Sequence, residues 1–263
     1  MDDLHVAMSA ARAGAEIVKK YFGTPTEAHY KTKFDPVTAV DQAAEAAILD
    51  VLHAARPDDE VIAEESGGSV HPGRHWIVDP LDGTVNFVHS IPHVSVSVAL
   101  HDGEHGLVGV VYDPLREEIF TATRGGGARL NGRVISTSDT ARLEKSIVAT
   151  GFPYNHDEYA DSLAVMLREV LVRVNGIRRY GSAALDLAWV AAGRFDAYWE
   201  FDLKPWDIAA GMIIVREAGG TVTDPYGRPS TPMMGLVVSS NGKIHDPLRR
   251  IVETWMPSHL VDP

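Results

Sequence analysis

Trp76-Ile77-Val78-Asp79-Pro80-Leu81-Asp82-Gly83-Thr84 is an apolar strand that runs straight into two carboxylates and then into a glycine-threonine turn. A strand that ends in Asp holds its carboxylate rigidly. Pro80 presets φ for the turn and lacks an N–H, so Asp79 and Asp82 can converge on one side. Gly83 and Thr84 add backbone N–H groups and a hydroxyl where a helix can begin. Such a start favours anions, and paired carboxylates beside it hold hard divalent cations through oxygen. Asp-Pro and Asp-Gly are also plain turn formers, so the stretch alone leaves a structural role open.

Three further acidic clusters narrow the choice. Val61-Ile62-Ala63-Glu64-Glu65-Ser66 repeats the design of a short apolar strand ending in acid. Trp206-Asp207-Ile208-Ala209-Ala210-Gly211 sets an Asp at the front of an apolar helical pattern, where the N-terminal dipole favours it. Asp41 follows Thr38 in the Thr-x-x-Asp spacing of a capping box, and its simplest role is a helix cap.

Together these motifs resemble the inositol monophosphatase family, within the Mg²⁺-dependent, lithium-sensitive phosphatases. The family's first motif corresponds to Trp76 through Thr84, continuing with Val85-Asn86-Phe87-Val88-His89, and its second to Trp206 through Gly211. The match extends through Asp41, Glu64-Glu65-Ser66, Gly181-Ser182-Ala183-Ala184-Leu185-Asp186 and Glu200, over nearly the whole chain. Lys204-Pro205 resembles the bacterial branch.

The resemblance implies a layered αβαβα sandwich of the inositol monophosphatase and fructose-1,6-bisphosphatase type. An N-terminal α+β part (1–140) and a C-terminal α/β part (141–263) would pack as one body with the active site at their junction. It implies two or three Mg²⁺ ions, the first held by Glu64, Asp79 and the Leu81 carbonyl, the second by Asp79, Asp82 and Asp207. Glu64 and Thr84 would direct the attacking water, with Asp41 accepting from the Thr84 hydroxyl. Lys31 matches a mobile basic residue of the family's N-terminal loop, or is one of several solvated lysines. Gly83 and Thr84, flanked by Asp82 and Asp207, would bind the phosphate, while Ser182, Ala183 and Glu200 would meet sugar-alcohol hydroxyls. Ser182-Ala183 is otherwise an ordinary helix start and Glu200 a surface charge.

The implied activity is hydrolysis of a small phosphate ester, with inositol 1-phosphate first. Asn86-Phe87-Val88-His89 and Glu200 favour it over fructose 1,6-bisphosphate, histidinol phosphate or a nucleotide 3′-phosphate. The resemblance also implies Li⁺ as an inhibitor and a homodimer as the assembly. A regulatory protein-binding role is the alternative of another class.

Composition sets the limits. The 263 residues contain no cysteine, which excludes disulfides, thiolate nucleophiles and zinc-thiolate sites, so a metal must be held by oxygen or imidazole. A formal net charge of −12 argues against a nucleic-acid surface. An acidic pocket also repels a phosphate ester until cations fill it, which predicts an absolute metal requirement. The 12 histidines show no His-x-His or HExxH spacing. His71, His75, His89, His93, His101 and His105 are scattered among turns and strands, where surface or hydrogen-bonded roles are expected. No apolar run is long enough to span a bilayer, and Met1-Asp2-Asp3 lacks the features of a signal peptide. A soluble, cytoplasmic protein without membrane partners is expected.

Periodicity places the elements. Leu4, Met8, Ala11, Ala15, Val18 and Phe22 mark a helix stopped by Gly23-Thr24-Pro25, and Val40, Ala44, Ile48, Val51 and Ala55 a second stopped by Pro57. Between them Tyr30 to Pro36 reads as a hairpin or mobile loop. From His75 to Ser136 the period is two, with an Asn131-Gly132 hairpin signal, predicting an antiparallel sheet. Strands and helices then alternate: a strand at Ile147-Val148-Ala149, helices over Tyr159 to Val174 and Ser182 to Gly193, a strand from Phe195 to Glu200, a helix from Trp206 to Gly219, and strands near Thr221 and Val237.

Overall fold

The computed structural model describes residues 1–69 and 72–257; His71 lies outside the described residues. The chain begins α1 (Asp3–Tyr21), β1 (Ala28–Tyr30), β2 (Pro36–Thr38), α2 (Ala39–Ala55), β3 (Glu60–Ala63), β4 (Arg74–Asp82) and α3 (Thr84–Val88). A meander follows through β5 (Ser95–Asp102), β6 (His105–Asp113), β7 (Glu118–Thr123), β8 (Gly127–Leu130) and β9 (Arg133–Val134). The remainder is β10 (Ile147–Thr150), α4 (Ala160–Leu171), β11 (Gly176–Arg178), α5 (Ala183–Ala191), β12 (Ala197–Phe201), α6 (Pro205–Glu217), β13 (Thr221–Thr223), β14 (Leu236–Ser240) and α7 (His245–Thr254).

The period-two region supplies β4 to β9, which β3 joins in a seven-stranded sheet of sequential order. All its pairings are antiparallel except β3 with β4, which is parallel. Side chains alternate across a strand, and here both faces are covered. Trp76, Val78, Val96, Val98 and Val110 join the core formed with α1 and α2, whereas Ile77, Ala99 and Val111 join the core formed with α5 and α6. Even Ser95 and Ser97 are buried. Ser97 is satisfied by donating to the Trp206 carbonyl at 3.2 Å, which ties the sheet to the start of α6.

A second sheet, ordered β11-β10-β12-β14-β13, lies beyond α5 and α6. Its other face packs on α4 and α7, where Trp199, Phe201 and Val238 meet Leu163, Met166, Leu248 and Val252. The layers are therefore α1/α2, the first sheet, α5/α6, the second sheet, and α4/α7, which is the αβαβα sandwich.

Tyr30 to Pro36 closes a two-stranded hairpin, with Ala28 opposite Thr38 and Tyr30 opposite Pro36. The first strand motif differs from its reading. β4 does not turn at Asp79 but runs on to Asp82 through a register shift against β5, Asp79 facing Ser97 and Asp82 facing Ser95. Pro80 has no N–H for the ladder, and a bulge is where a strand tolerates that. No sequence expectation covered β11 or α7. Among the described residues, no helix is long and apolar enough to cross a membrane.

Candidate active site

Strand register assembles the first pair of acids. Ala63 of β3 lies beside Val78 of β4 and the Glu64 amide donates to the Val78 carbonyl at 3.2 Å, so Glu64 follows β3 next to Asp79. The turn that carries Glu64 is clamped by a residue the motifs did not single out. Glu45, buried on α2, accepts from the amides of Glu65 and Ser66, each at 2.8 Å. Its signal was in the sequence: Asp41 and Glu45 stand four apart, on one helical face.

Asp41 performs both roles proposed for it. One carboxylate oxygen caps α2, accepting from the Thr38 amide at 2.8 Å and the Thr38 hydroxyl at 2.6 Å. The other lies 2.9 Å from the Thr84 hydroxyl, which also reaches the Leu81 carbonyl at 3.0 Å. The hydroxyl proton is thus committed to Asp41 or Leu81, and the lone pairs of the Thr84 oxygen stay available. Asp79 accepts from the Leu81 amide at 2.9 Å, which fixes the bulge.

Asp82 is held by α5. Ser182 donates its hydroxyl at 2.6 Å, and the Ala183 and Ala184 amides donate at 3.2 and 2.8 Å. The helix start at Ser182-Ala183 therefore works first on a neighbouring strand's carboxylate, an anion at a helix N-terminus. Asp207, in the first turn of α6, accepts from the Lys204 amide at 2.6 Å. Gly83 adopts φ +99, and a Cβ there would stand 3.0 Å from the His93 carbonyl and 3.1 Å from that of Gly181, so only glycine fits the turn. Asn86 donates its amide to the carbonyls of His93 at 2.8 Å, Tyr180 at 2.7 Å and Gly181 at 3.3 Å. It fastens α3 to the loop before α5, which is a structural task rather than a substrate contact.

Like charges crowd these positions. Asp79 is raised well above the usual carboxylate range by burial and then by Glu64, Asp82 and Asp207. Asp207 is raised by burial and by Asp82 and Glu64. Burial pushes Glu64 up to about 7 against the pull of Lys31. The Lys31 ammonium lies 2.9 Å from Glu64 and 2.7 Å from Glu65, so it is not a free solvated lysine.

Asp82, Gly83, Thr84, Ser182, Ala183, Glu200 and Asp207 line one cavity, where α3, α5 and α6 begin. Asp41, Lys31, Glu64, Asp79 and Leu81 are not in its wall, but hydrogen bonds and charge connect them to it. Phe152, Tyr154, Arg179, Asp186 and Lys204 also line it, and sequence reasoning assigned none of them a role. Among the described residues, no three acidic or histidine side chains already converge as a cation cage. Each site carboxylate is turned onto a hydrogen bond of its own. Among the described histidines, His93 meets the buried Asp186 at 3.2 Å, and its charge also bears on Asp82.

Five alternating layers with Asp82, Asp207 and Glu200 around one cavity define the class of layered phosphatases that the motifs resemble. The inositol monophosphatase family model matches residues 2–255, and the chain belongs to that family. It is 44% identical over 245 residues to the Nus factor SuhB of Escherichia coli strain K12, covering 92% of each chain. It is 42% identical over 248 residues to an inositol-1-monophosphatase of Synechocystis, covering 93% of this chain and 86% of that one. The crystal structure of extragenic suppressor protein suhB from Bartonella henselae superposes with a TM-score of 0.90 at 40% identity, over 95% of this chain and 97% of that one.

Proposed function

We propose that the protein is a Mg²⁺-dependent phosphate monoester hydrolase whose preferred substrate is inositol 1-phosphate. The observation that carries this is the crowding of Glu64, Asp79, Asp82 and Asp207, in which the other three carboxylates raise Asp79 and those of Asp82 and Glu64 raise Asp207, beside a Thr84 hydroxyl tied to Asp41. Such crowding calls for dications, and the donor set of carboxylates with the Leu81 carbonyl suits a hard one. Glu64, Asp79 and Leu81 would hold one ion and Asp79, Asp82 and Asp207 another, after the carboxylates turn from their present partners. Bound Mg²⁺ supplies charge neutralisation for the phosphate dianion and a water of lowered pKa.

The chain's own residues do the rest. Because its proton is directed to Asp41 or Leu81, Thr84 accepts a hydrogen bond from the attacking water, and Glu64 takes the proton. Lys31 provides the countercharge for Glu64 and Glu65. Gly83 and Thr84 receive the phosphate, and Glu200, across the same cavity, accepts from the alcohol hydroxyls. The similarity to the inositol-1-monophosphatase of Synechocystis supports the inositol assignment.

The test is phosphate release from inositol 1-phosphate, fructose 1,6-bisphosphate, histidinol phosphate and a nucleotide 3′-phosphate, with Mg²⁺ and with EDTA. Inositol 1-phosphate should be cleaved fastest and nothing should be cleaved in EDTA. A better substrate among the other three would replace the assignment.

A second reading rests on the relatives named Nus factor, such as that of Escherichia coli. It is a protein-binding role in transcription carried beside catalysis, since the full set of acids is retained. Binding to purified transcription complexes should then survive Asp207→Asn.

A further inference from the structure

We infer that Tyr198 and Gly151 are positioning residues that present one oxygen of Glu200 to the alcohol part of the substrate. The inference rests on the hydrolase reading above. β12 sends Tyr198 and Glu200, two apart, to the same face, while Trp199 and Phe201 go to the core with α4 and α7. The fully buried Tyr198 hydroxyl donates to Glu200 Oε2. On the other side, Gly151 leaves room for the carboxylate to lie on its backbone. A Cβ at Gly151 would fall 1.9 Å from Glu200 Oε2 and 2.3 Å from Oε1. Gly151 directly follows β10, whose Thr150 pairs with Trp199 of β12 and donates its hydroxyl to the Trp199 carbonyl at 2.8 Å.

The cradle therefore occupies Oε2. Among the described residues Oε1 has no hydrogen-bond partner in the protein, and Gly151 and Glu200 both line the cavity that also holds Asp82 and Asp207. Tyr198 stays protonated, because burial and the Glu200 charge push its phenol upward, so it is a constant donor. Glu200 itself is pushed up to about 7 by burial, with Tyr198 and Arg179 opposing and Asp186 and Asp82 adding to the rise. Tyr198 thus fixes the direction of Glu200 and favours its ionised form against burial.

The experiment compares Tyr198→Phe with the wild type on inositol 1-phosphate and on p-nitrophenyl phosphate, which has no hydroxyl array, from pH 6 to 9.5. Loss of the donated hydrogen bond should raise the Glu200 pKa by about one unit, lowering kcat/KM for inositol 1-phosphate about fivefold at pH 7 with recovery at high pH. The p-nitrophenyl phosphate profile should not move. Gly151→Ala, which displaces only the end of a flexible side chain, should lose the same preference between the two esters. ¹³C-carboxyl NMR of glutamate-labelled protein should show the Glu200 titration moving upward in Tyr198→Phe, a readout that needs no substrate. Equal losses on both esters, or an unmoved Glu200 titration, would overturn the inference. Absent hydrolysis of inositol 1-phosphate by the wild type, with the titration still moving, would instead overturn the hydrolase reading alone.

Discussion

Replacing Glu64 with Gln should stabilise the protein in EDTA while abolishing turnover. Burial raises Glu64 from its ordinary 4.5 to about 7 in the folded chain. Below pH 4.5 the side chain is protonated folded or unfolded and contributes nothing. Between 4.5 and about 7 the unfolded chain releases its proton first, so the fold loses stability as pH rises, and above 7 the penalty is complete. At about 1.4 kcal/mol per pH unit the full penalty is about 3 kcal/mol. Gln keeps the shape and an oxygen acceptor for Lys31 but never ionises. For a chain of this size the gain corresponds to roughly 6 to 12 °C in Tm. Thermal unfolding by circular dichroism in EDTA at pH 4, 6 and 8 should show no gain at pH 4 and the whole gain at pH 8. A gain that is equal at all three pH values, or absent at pH 8, would refute the electrostatic account of the site.

Thr84→Val, which keeps the shape but not the hydroxyl, should lower kcat roughly a hundredfold or more with little change in KM, and Thr84→Ser should retain most activity. Comparable losses in both variants would remove the hydroxyl from the mechanism. Asn86→Ala removes the donor shared by three carbonyls and should reduce stability by about 1 to 3 kcal/mol in urea unfolding with an unchanged slope. An unmoved midpoint would deny it the fastening role. Li⁺ carries one charge fewer than Mg²⁺ at similar size, so LiCl should inhibit uncompetitively against KCl at matched ionic strength. Equal rates in the two salts would withdraw that expectation.

The layers were legible because apolar periodicity survives in one chain: Leu4 to Phe22 and Val40 to Ala55 predicted α1 and α2 within a residue or two. Motif spacing also located Asp41, Thr84 and Asp207 at helix starts. The β4 bulge was not legible, since Asp-Pro-Leu-Asp suits a turn as well as a bulged strand, and only pairing with β5 separates the two. Glu45 was visible as a helical neighbour of Asp41 but had no partner until the Glu65-Ser66 turn folded onto it. Tyr198 and Gly151 acquire meaning through contact between β10 and β12, which are distant in sequence. Asn86 belongs to the motif, yet its three acceptors lie on two other loops.

The central claim is that Asp79, Asp82 and Asp207 form a divalent-cation site required for ester hydrolysis. Phosphate release from inositol 1-phosphate as a function of Mg²⁺ concentration, for the wild type and Asp207→Asn, tests it most directly. The Asn oxygen can still accept from the Lys204 amide, so folding should persist. The account predicts no turnover by either protein in EDTA, saturable activation of the wild type, and collapse of turnover in Asp207→Asn at ordinary Mg²⁺. Near-normal turnover by Asp207→Asn at the Mg²⁺ concentration that saturates the wild type, or activity of the wild type in EDTA, would contradict it.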